Sequence, residues 1–315
     1  MKITVLDKCT VTTGDVSLTP IEQVGEVRYF DTVPPADIPA AIGDSDAVIV
    51  NKAKITDEIM EKCPSLKFIG LFATGYNNID VDAARKRGVA VCNVPGYSTD
   101  SVAQLTIAFM LHFATSIGDY ATSTARGDWA ESETFSYLSY PIGELAGKTL
   151  GIFGFGTIGK AVAKIALAFG MKVIAVSHRP MTYENVEFVT PEVLFSESDY
   201  LTFHCPLTPE TRGLVNRETL ALMKPSAVLI NTSRGGVVEE EPLRDALNSG
   251  KLRGAAIDVL DTEPMTKGHP YLSAKNIIMT PHIAWASLEA RERLIGIVVD
   301  NLRAWEAGER YNRVD

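Results

Sequence analysis

Short apolar runs rich in β-branched residues alternate along the chain with longer stretches whose apolar positions recur every three to four residues. That is the pattern of strands joined by helices. Residues 3–6, Ala47–Val50, Phe68–Leu71 and Ala90–Cys92 predict strands, and Asp57–Lys62 and Val81–Arg87 predict helices between them. A long apolar-periodic stretch at 101–116 opens a second series. Its strands are predicted at Thr149–Phe153, Lys172–Val176, Tyr200–Phe203, 227–231 and 254–258, with a sixth at Ile277–Met279. The final stretch, 287–308, sets Leu294, Ile297, Val298, Leu302 and Trp305 at helical spacing with charges between them. Strands apolar on both faces, each followed by a turn and usually a helix, require parallel sheets covered on both sides. Two doubly wound α/β domains are therefore expected. No linker-like or low-complexity segment separates them, so they should meet directly and hinge about a cleft.

The length of 315 residues suits two domains that each bury a core. A net charge of −9 argues against nucleic acid or an acidic membrane as a partner, because phosphates would be repelled. No apolar run is long enough to cross a bilayer, and the N-terminus reads as a strand rather than a signal peptide. Cys9, Cys63, Cys92 and Cys205 are scattered, with no CxxC pair and no Cys/His cluster. Neither disulfides nor a bound metal is expected, and a reducing cytoplasm is the default setting.

The sharpest motif is Gly154-Phe155-Gly156-Thr157-Ile158-Gly159, which follows the strand Thr149–Phe153 and leads into a helix predicted over 160–169. In that context GxGxxG is a dinucleotide fingerprint. Gly154 permits the tight turn, Gly156 lets the backbone approach a pyrophosphate, and Gly159 lets helix and strand pack closely. Free N–H groups at the helix start hold the anion. The same residues also fit the start of a P-loop, GxxxxGK. Ala161 stands where that motif needs Ser or Thr for Mg²⁺, which removes the nucleotide triphosphatase reading.

NAD sites place Asp or Glu at the end of the second strand to bind the ribose hydroxyls. Here that strand runs into Ser177-His178-Arg179-Pro180, with no carboxylate. A carboxylate about 4 Å from a phosphate charge costs roughly 4 kcal/mol at an effective dielectric near 20. Its absence, with Arg179 in its place, favours NADP over NAD. The other reading of Arg179 is a solvent-facing side chain on a site that accepts either cofactor.

Three later segments follow strand ends, where open α/β sheets bind ligands. They are Asn231-Thr232-Ser233-Arg234-Gly235-Gly236, the run from Asp258 to Pro264 that contains Glu263, and Thr280-Pro281-His282-Ile283-Ala284-Trp285. Together they supply one Arg, one Glu and one His. Reduction of a 2-keto acid needs those types. Arg binds a carboxylate bidentately and stays charged. His titrates near neutrality and can give a proton to the carbonyl oxygen. An acid beside it fixes the tautomer and keeps the ring protonated.

With these segments the sequence resembles the D-isomer-specific 2-hydroxyacid dehydrogenases over nearly its whole length. The likeness implies a Rossmann cofactor domain at 101–286 and a flavodoxin-like substrate domain formed by 1–100 with 287–315. It makes Arg234 the substrate-binding arginine, Glu263 the partner of the histidine and His282 the acid/base. It makes Asp258 the acid that holds the nicotinamide carboxamide, with Thr232 and Ser233 lining the same region. His204-Cys205-Pro206 corresponds to the family stretch beneath the adenine side, with His204 packing there rather than acting as an acid. Thr74, Gly75 and Tyr76 belong to the loop whose backbone amides hold the substrate carboxylate. Gln104 stands where the family more often has Glu, a change at the hinge. Lys52, after a substrate-domain strand, reads either as a substrate contact or as a surface lysine. The remaining histidines, His112, His178 and His269, are given no acid/base role.

Within the family, Gly75-Tyr76-Asn77-Asn78, Ser101-Val102-Ala103-Gln104 and the 137–145 stretch look most like glycerate dehydrogenases, also called hydroxypyruvate reductases. That implies hydroxypyruvate or glyoxylate as the keto acid, and the family implies a homodimer. The competing reading is a dinucleotide-sensing, corepressor-like binding protein on the same fold.

Overall fold

The computed structural model describes all 315 residues. Twelve strands form in chain order: β1 Lys2–Val5, β2 Glu26–Tyr29, β3 Ala47–Val50, β4 Phe68–Leu71, β5 Ala90–Cys92, β6 Thr149–Phe153, β7 Lys172–Val176, β8 Val186–Phe188, β9 Tyr200–Phe203, β10 Val228–Asn231, β11 Gly254–Ile257 and β12 Ile277–Met279. The α-helices are α1 Thr19–Glu22, α2 Ile38–Ile42, α3 Asp57–Lys62, α4 Val81–Arg87, α5 Thr99–Thr115, α6 Ile117–Ala125, α7 Thr157–Ala168, α8 Pro191–Glu197, α9 Arg217–Leu222, α10 Glu240–Asn248 and α11 Leu288–Glu306.

The chain divides into two compact units, Met1–Ser98 with Trp285–Asp315, and Thr99–Ala284. The first holds a five-stranded sheet in the order β2-β1-β3-β4-β5, and the second a seven-stranded sheet in the order β12-β11-β10-β9-β6-β7-β8. Every pairing is parallel. These are the flavodoxin-like order 2-1-3-4-5 and the Rossmann order 3-2-1-4-5-6 extended by one strand. The doubly wound α/β expectation holds for both.

The central strands β3, β4, β9, β10 and β11 are buried along their whole length, as sheets covered on both faces require. Helix α7 turns Gly159, Val162, Ala163 and Ala166 inward at one-turn spacing and packs against α5. Helix α11 starts at Ser287, whose hydroxyl accepts from the Ala290 amide at 3.2 Å. It buries Leu294, Ile295, Val298 and Leu302 in the first unit's core.

Strands β2 and β8 escape the hydrophobic pattern. β2 reads Glu-Val-Arg-Tyr and β8 reads Val-Glu-Phe, each at a sheet edge, where one flank is solvated and apolar runs are not needed. The segment after β11 also departs from the strand-helix rule: it carries only a short 3₁₀ turn, Pro270–Ser273, before β12. No single helix is long and apolar enough to cross a membrane.

Candidate active site

Because all seven strands of the larger sheet are parallel, their C-terminal ends emerge at one edge. The order changes direction between β6 and β9, and ligands of open α/β sheets sit outside such a switch point. The fingerprint turn lies there. Gly154 has φ +99°, and a Cβ on it would stand 2.7 Å from the backbone of His204 and Cys205, so that stretch lies directly against the turn. A Cβ on Gly159 would stand 2.4 Å from the Gly154 carbonyl oxygen. Around Gly156, by contrast, the space where a Cβ would go is open. Gly156 is also the N-cap of α7 and has no side chain to cap the helix. An open, uncapped helix start after a tight glycine turn suits a pyrophosphate. Thr157 is exposed and Ile158 half-buried at this start. Phe155 turns the other way: its ring is buried, 5.2 Å from Tyr183 and from Phe188, so only its backbone is available to a ligand.

Ser177, His178 and Arg179 form the turn after β7, with the Arg179 amide donating to Ser177 Oγ at 3.3 Å and the His178 and Arg179 side chains exposed. Pro206 is exposed beside the buried Cys205. Burial pushes the Cys205 thiol up to about 11, which keeps it protonated and unreactive. Burial also pushes His204 down to about 3; its Nε2 meets Thr202 Oγ1 at 3.1 Å and its Nδ1 has no partner. A ring kept neutral by burial is no general acid.

The register of the sheet aligns the three chemical segments. Asn231 of β10 pairs with Ile257 of β11, which pairs with Met279 of β12, about 4.8 Å per step. Arg234, Asp258 and His282 follow within three residues of those positions. Asn231 shapes its turn: its Oδ1 accepts from the Ser233 amide and hydroxyl, and its Nδ2 donates to the Arg234 carbonyl. Ser233 and Thr232 are buried, Thr232 Oγ1 sharing a 3.2 Å hydrogen bond with Thr106 Oγ1 on α5. Arg234 is exposed, its guanidinium held at 2.7 Å by the Ser233 carbonyl. The next residue, Gly235, is so close to the following loop that a Cβ would sit 1.8 Å from the Leu260 carbonyl carbon. The loop bearing Arg234 and the loop bearing Glu263 are thus in backbone contact.

Glu263 Oε1 accepts from the Leu260 amide at 3.0 Å, and Oε2 lies 2.7 Å from His282 Nδ1. His282 Nε2 makes no hydrogen bond within the chain, and the ring is 29% exposed. The backbone at His282 has φ +56°, a conformation L-residues rarely adopt. Asp258 holds it there. The Asp258 carbonyl accepts from the His282 amide at 2.8 Å, while its carboxylate accepts from Thr280 Oγ1 and the amides of Ile283 and Ala284. Asp258 is 2% exposed, and desolvation raises its carboxyl above the ordinary range against those hydrogen bonds. Three acceptor positions are spent and one on Oδ2 remains. Thr280 is a site residue that sequence reasoning passed over; the signal was a hydroxyl two residues before the histidine.

A second imidazole–carboxylate pair makes a useful contrast. His269 Nε2 lies 2.9 Å from Glu240 Oε2, but the ring is buried and its Nδ1 accepts from the Tyr271 amide. Nδ1 is taken by a backbone amide and Nε2 is buried against the carboxylate, so neither nitrogen is open to a ligand and this ring braces the fold. Only the His282 pair leaves one nitrogen open beside a fixed carboxylate.

In the smaller unit, Lys52 follows β3, and Thr74, Gly75 and Tyr76 follow β4, the neighbouring strand. Thr74 Oγ1 donates to the Val94 carbonyl at 2.7 Å. The amides of Gly75 and Tyr76 make no hydrogen bond within the chain, as an anion-binding loop requires.

The comparison with known proteins agrees with this geometry. Residues 107–284 match the model of the D-isomer specific 2-hydroxyacid dehydrogenase, NAD binding domain. The chain belongs to this family. It is 42% identical to a hydroxypyruvate reductase of Blautia hydrogenotrophica over the full length of both. It is 39% identical to a glycerate dehydrogenase of Methylorubrum extorquens over 91% of each. Among solved structures it is similar to an NADPH-dependent glyoxylate/hydroxypyruvate reductase of Sinorhizobium meliloti in complex with NADP and malonate. That likeness has a TM-score of 0.85 and 30% identity, covering 99% of this chain and 96% of that one. The family membership makes this chain a D-2-hydroxyacid dehydrogenase that uses a nicotinamide dinucleotide.

Proposed function

We propose that this dehydrogenase reduces hydroxypyruvate or glyoxylate to D-glycerate or glycolate, with NADPH favoured over NADH, in a reducing cytoplasm where its four thiols stay free. The observation that carries the reading is the Glu263–His282 contact of 2.7 Å with Nε2 left open, on a loop fastened by Asp258. The names of the similar proteins support the substrate class.

Gly154, Gly156 and Gly159, with the backbone of Phe155, Thr157 and Ile158, are assigned to the pyrophosphate. His204, Cys205, Pro206, Thr232, Ser233 and the remaining acceptor of Asp258 are assigned to the rest of the dinucleotide. Bound there, the reduced nicotinamide supplies a hydride to the keto carbon. Arg234 pairs with the substrate carboxylate and polarises the carbonyl. Protonated His282 gives the Nε2 proton to the carbonyl oxygen, while Glu263 holds Nδ1–H and stabilises the charged ring before transfer. The free amides of Gly75 and Tyr76, the Thr74 loop and the Lys52 ammonium are assigned to substrate binding, lining a small polar pocket.

Steady-state kinetics with a panel of 2-keto acids against NADH and NADPH test the reading. Hydroxypyruvate or glyoxylate with NADPH should give the highest kcat/KM. Arg179→Ala should raise KM for NADPH about 10-fold, the worth of one charge-assisted contact, and leave NADH within about 2-fold. Equal losses for both cofactors would remove Arg179 from the 2′-phosphate. Binding of NADPH without turnover on any keto acid would favour a sensor.

The chain is also proposed to form a homodimer through the segment 117–142. Phe135 is 92% exposed and Leu138 77%, with Ile117, Trp129 and Ile142 also more than half exposed. Exposed apolar side chains concentrated in one segment of the chain suit a protein-binding surface. Light scattering should give twice the chain mass, and Phe135→Asp with Leu138→Asp should shift it to the monomer. A parent protein that is monomeric would refute the proposal.

A further inference from the structure

Asp7 is 5% exposed, and nothing in the proposed chemistry uses it. It lies two residues beyond Val5, which pairs with Ile49 in the β1–β3 register. The carboxylate therefore faces the loop that starts two residues after Ile49. Its Oδ1 accepts from the Asn51 amide at 2.8 Å, and its Oδ2 accepts from the Lys52 and Ala53 amides at 2.6 and 2.9 Å. Three successive N–H groups converge on one buried carboxylate. The same loop is held from its other side: Asn78 Nδ2 donates to the Ala53 carbonyl at 2.8 Å and the Asn51 carbonyl at 3.3 Å. Asn78 belongs to the segment that follows Gly75 and Tyr76.

The consequence is chemical. The amides of 51–53 would form an anion-binding concavity if they were open, but Asp7 fills it. The amide N–H groups of this loop therefore have nothing left to offer a ligand. The loop's one cation, the Lys52 ammonium, is exposed and makes no ion pair within the chain. The amides of Gly75 and Tyr76 are in the opposite state, unbonded and available. We infer that Asp7 and Asn78 are positioning residues that clamp the 51–53 loop and aim the Lys52 ammonium at an oxygen of the 2-keto acid. Specificity for a polar keto acid then depends on a carboxylate that never touches it. This inference rests on the assignment of Lys52 to substrate binding.

A double-mutant cycle on the full-length enzyme tests it. Lys52→Met should raise KM for hydroxypyruvate about 10-fold or more, the value of one charge-assisted hydrogen bond, with kcat little changed. Asp7→Asn keeps the shape but sets an NH₂ against an amide N–H; it should raise the same KM about 5-fold. KM for NADPH should stay near the parent value, while the thermal midpoint falls with the lost buried hydrogen bond. Combined, the two should match Lys52→Met alone within about 2-fold, because Asp7 acts through Lys52. If Asp7→Asn does not fold, Asn78→Ser releases the clamp from the carbonyl side and should show the same non-additivity. Multiplying effects, a raised KM for NADPH, or an unchanged keto-acid KM in both clamp variants would overturn the inference while Lys52 kept its role. An unchanged KM in Lys52→Met would overturn the substrate assignment itself, and the inference with it.

Discussion

His282→Ala should lower kcat for keto-acid reduction by about 10²–10⁴-fold, the range of a general acid, with dinucleotide binding close to the parent level. The expectation rests on three features. The imidazole has one nitrogen 2.7 Å from Glu263 and the other open. Its backbone is kept at φ +56° by hydrogen bonds from the His282 amide to the carbonyls of Asp258 and Thr280. No other histidine offers the same: His204 is neutral through burial, and His269 has Nδ1 taken by a backbone amide and Nε2 buried. Glu263→Gln should cost less, at least about 10-fold, because the side chain can still reach Nδ1 but no longer stabilises a charged ring. Stopped-flow measurement of cofactor oxidation under single-turnover conditions separates the proton-transfer step from product release. Near-normal rates in purified His282→Ala would remove this residue from the mechanism.

The second large effect is expected from one methyl group. A Cβ on Gly235 would lie 1.8 Å from the Leu260 carbonyl carbon, 2.1 Å from its oxygen and 2.2 Å from the Asp261 nitrogen. All three are backbone atoms, so no rotamer relieves the clash and the loops must separate. The Leu260 amide holds Glu263, and the Asp261 amide is held by Glu240 Oε1. Gly235→Ala should therefore destabilise the protein by about 1–3 kcal/mol, as overpacking does. It should also lower kcat about 100-fold, since a displacement near 1 Å at a catalytic group has that effect. Gly236→Ala is the matched control. Its nearest neighbours are the side-chain ends of Asp261, Arg212 and Leu207, which can move, and its losses should be much smaller. Differential scanning calorimetry with steady-state kinetics on both variants checks the pair. Parent-like stability and kcat in Gly235→Ala would refute the loop contact.

Some of the site was legible because chemistry and chain position coincide. The glycine spacing of 154–159 carries its own geometry, and Arg234, Glu263 and His282 each follow a strand run that can be recognised by composition. Phe155 shows where motif reading stops: it lies inside the fingerprint, yet its ring is core. The edge strands β2 and β8 were hidden because a strand with one solvated flank needs few apolar residues. Asp7, Asn78 and Thr280 were hidden for another reason. Each acts through hydrogen bonds to a segment 22 or more residues away along the chain, as in Asp258–Thr280, or on a neighbouring strand, as in Asp7–Lys52. Such partners are set by strand order, which no local pattern encodes.

The amino-acid order by itself determined the alternation of strand and helix, the parallel sheets that follow from it, and the residue types available at each strand end. Those properties depend on periodicity and on short-range backbone preference. Which strand ends stand side by side, which carboxylate is spent on the backbone and which imidazole nitrogen stays open were decided only by the tertiary structure. These outcomes depend on register between segments far apart in the chain. Burial then sets whether a His, Asp or Cys can change its charge.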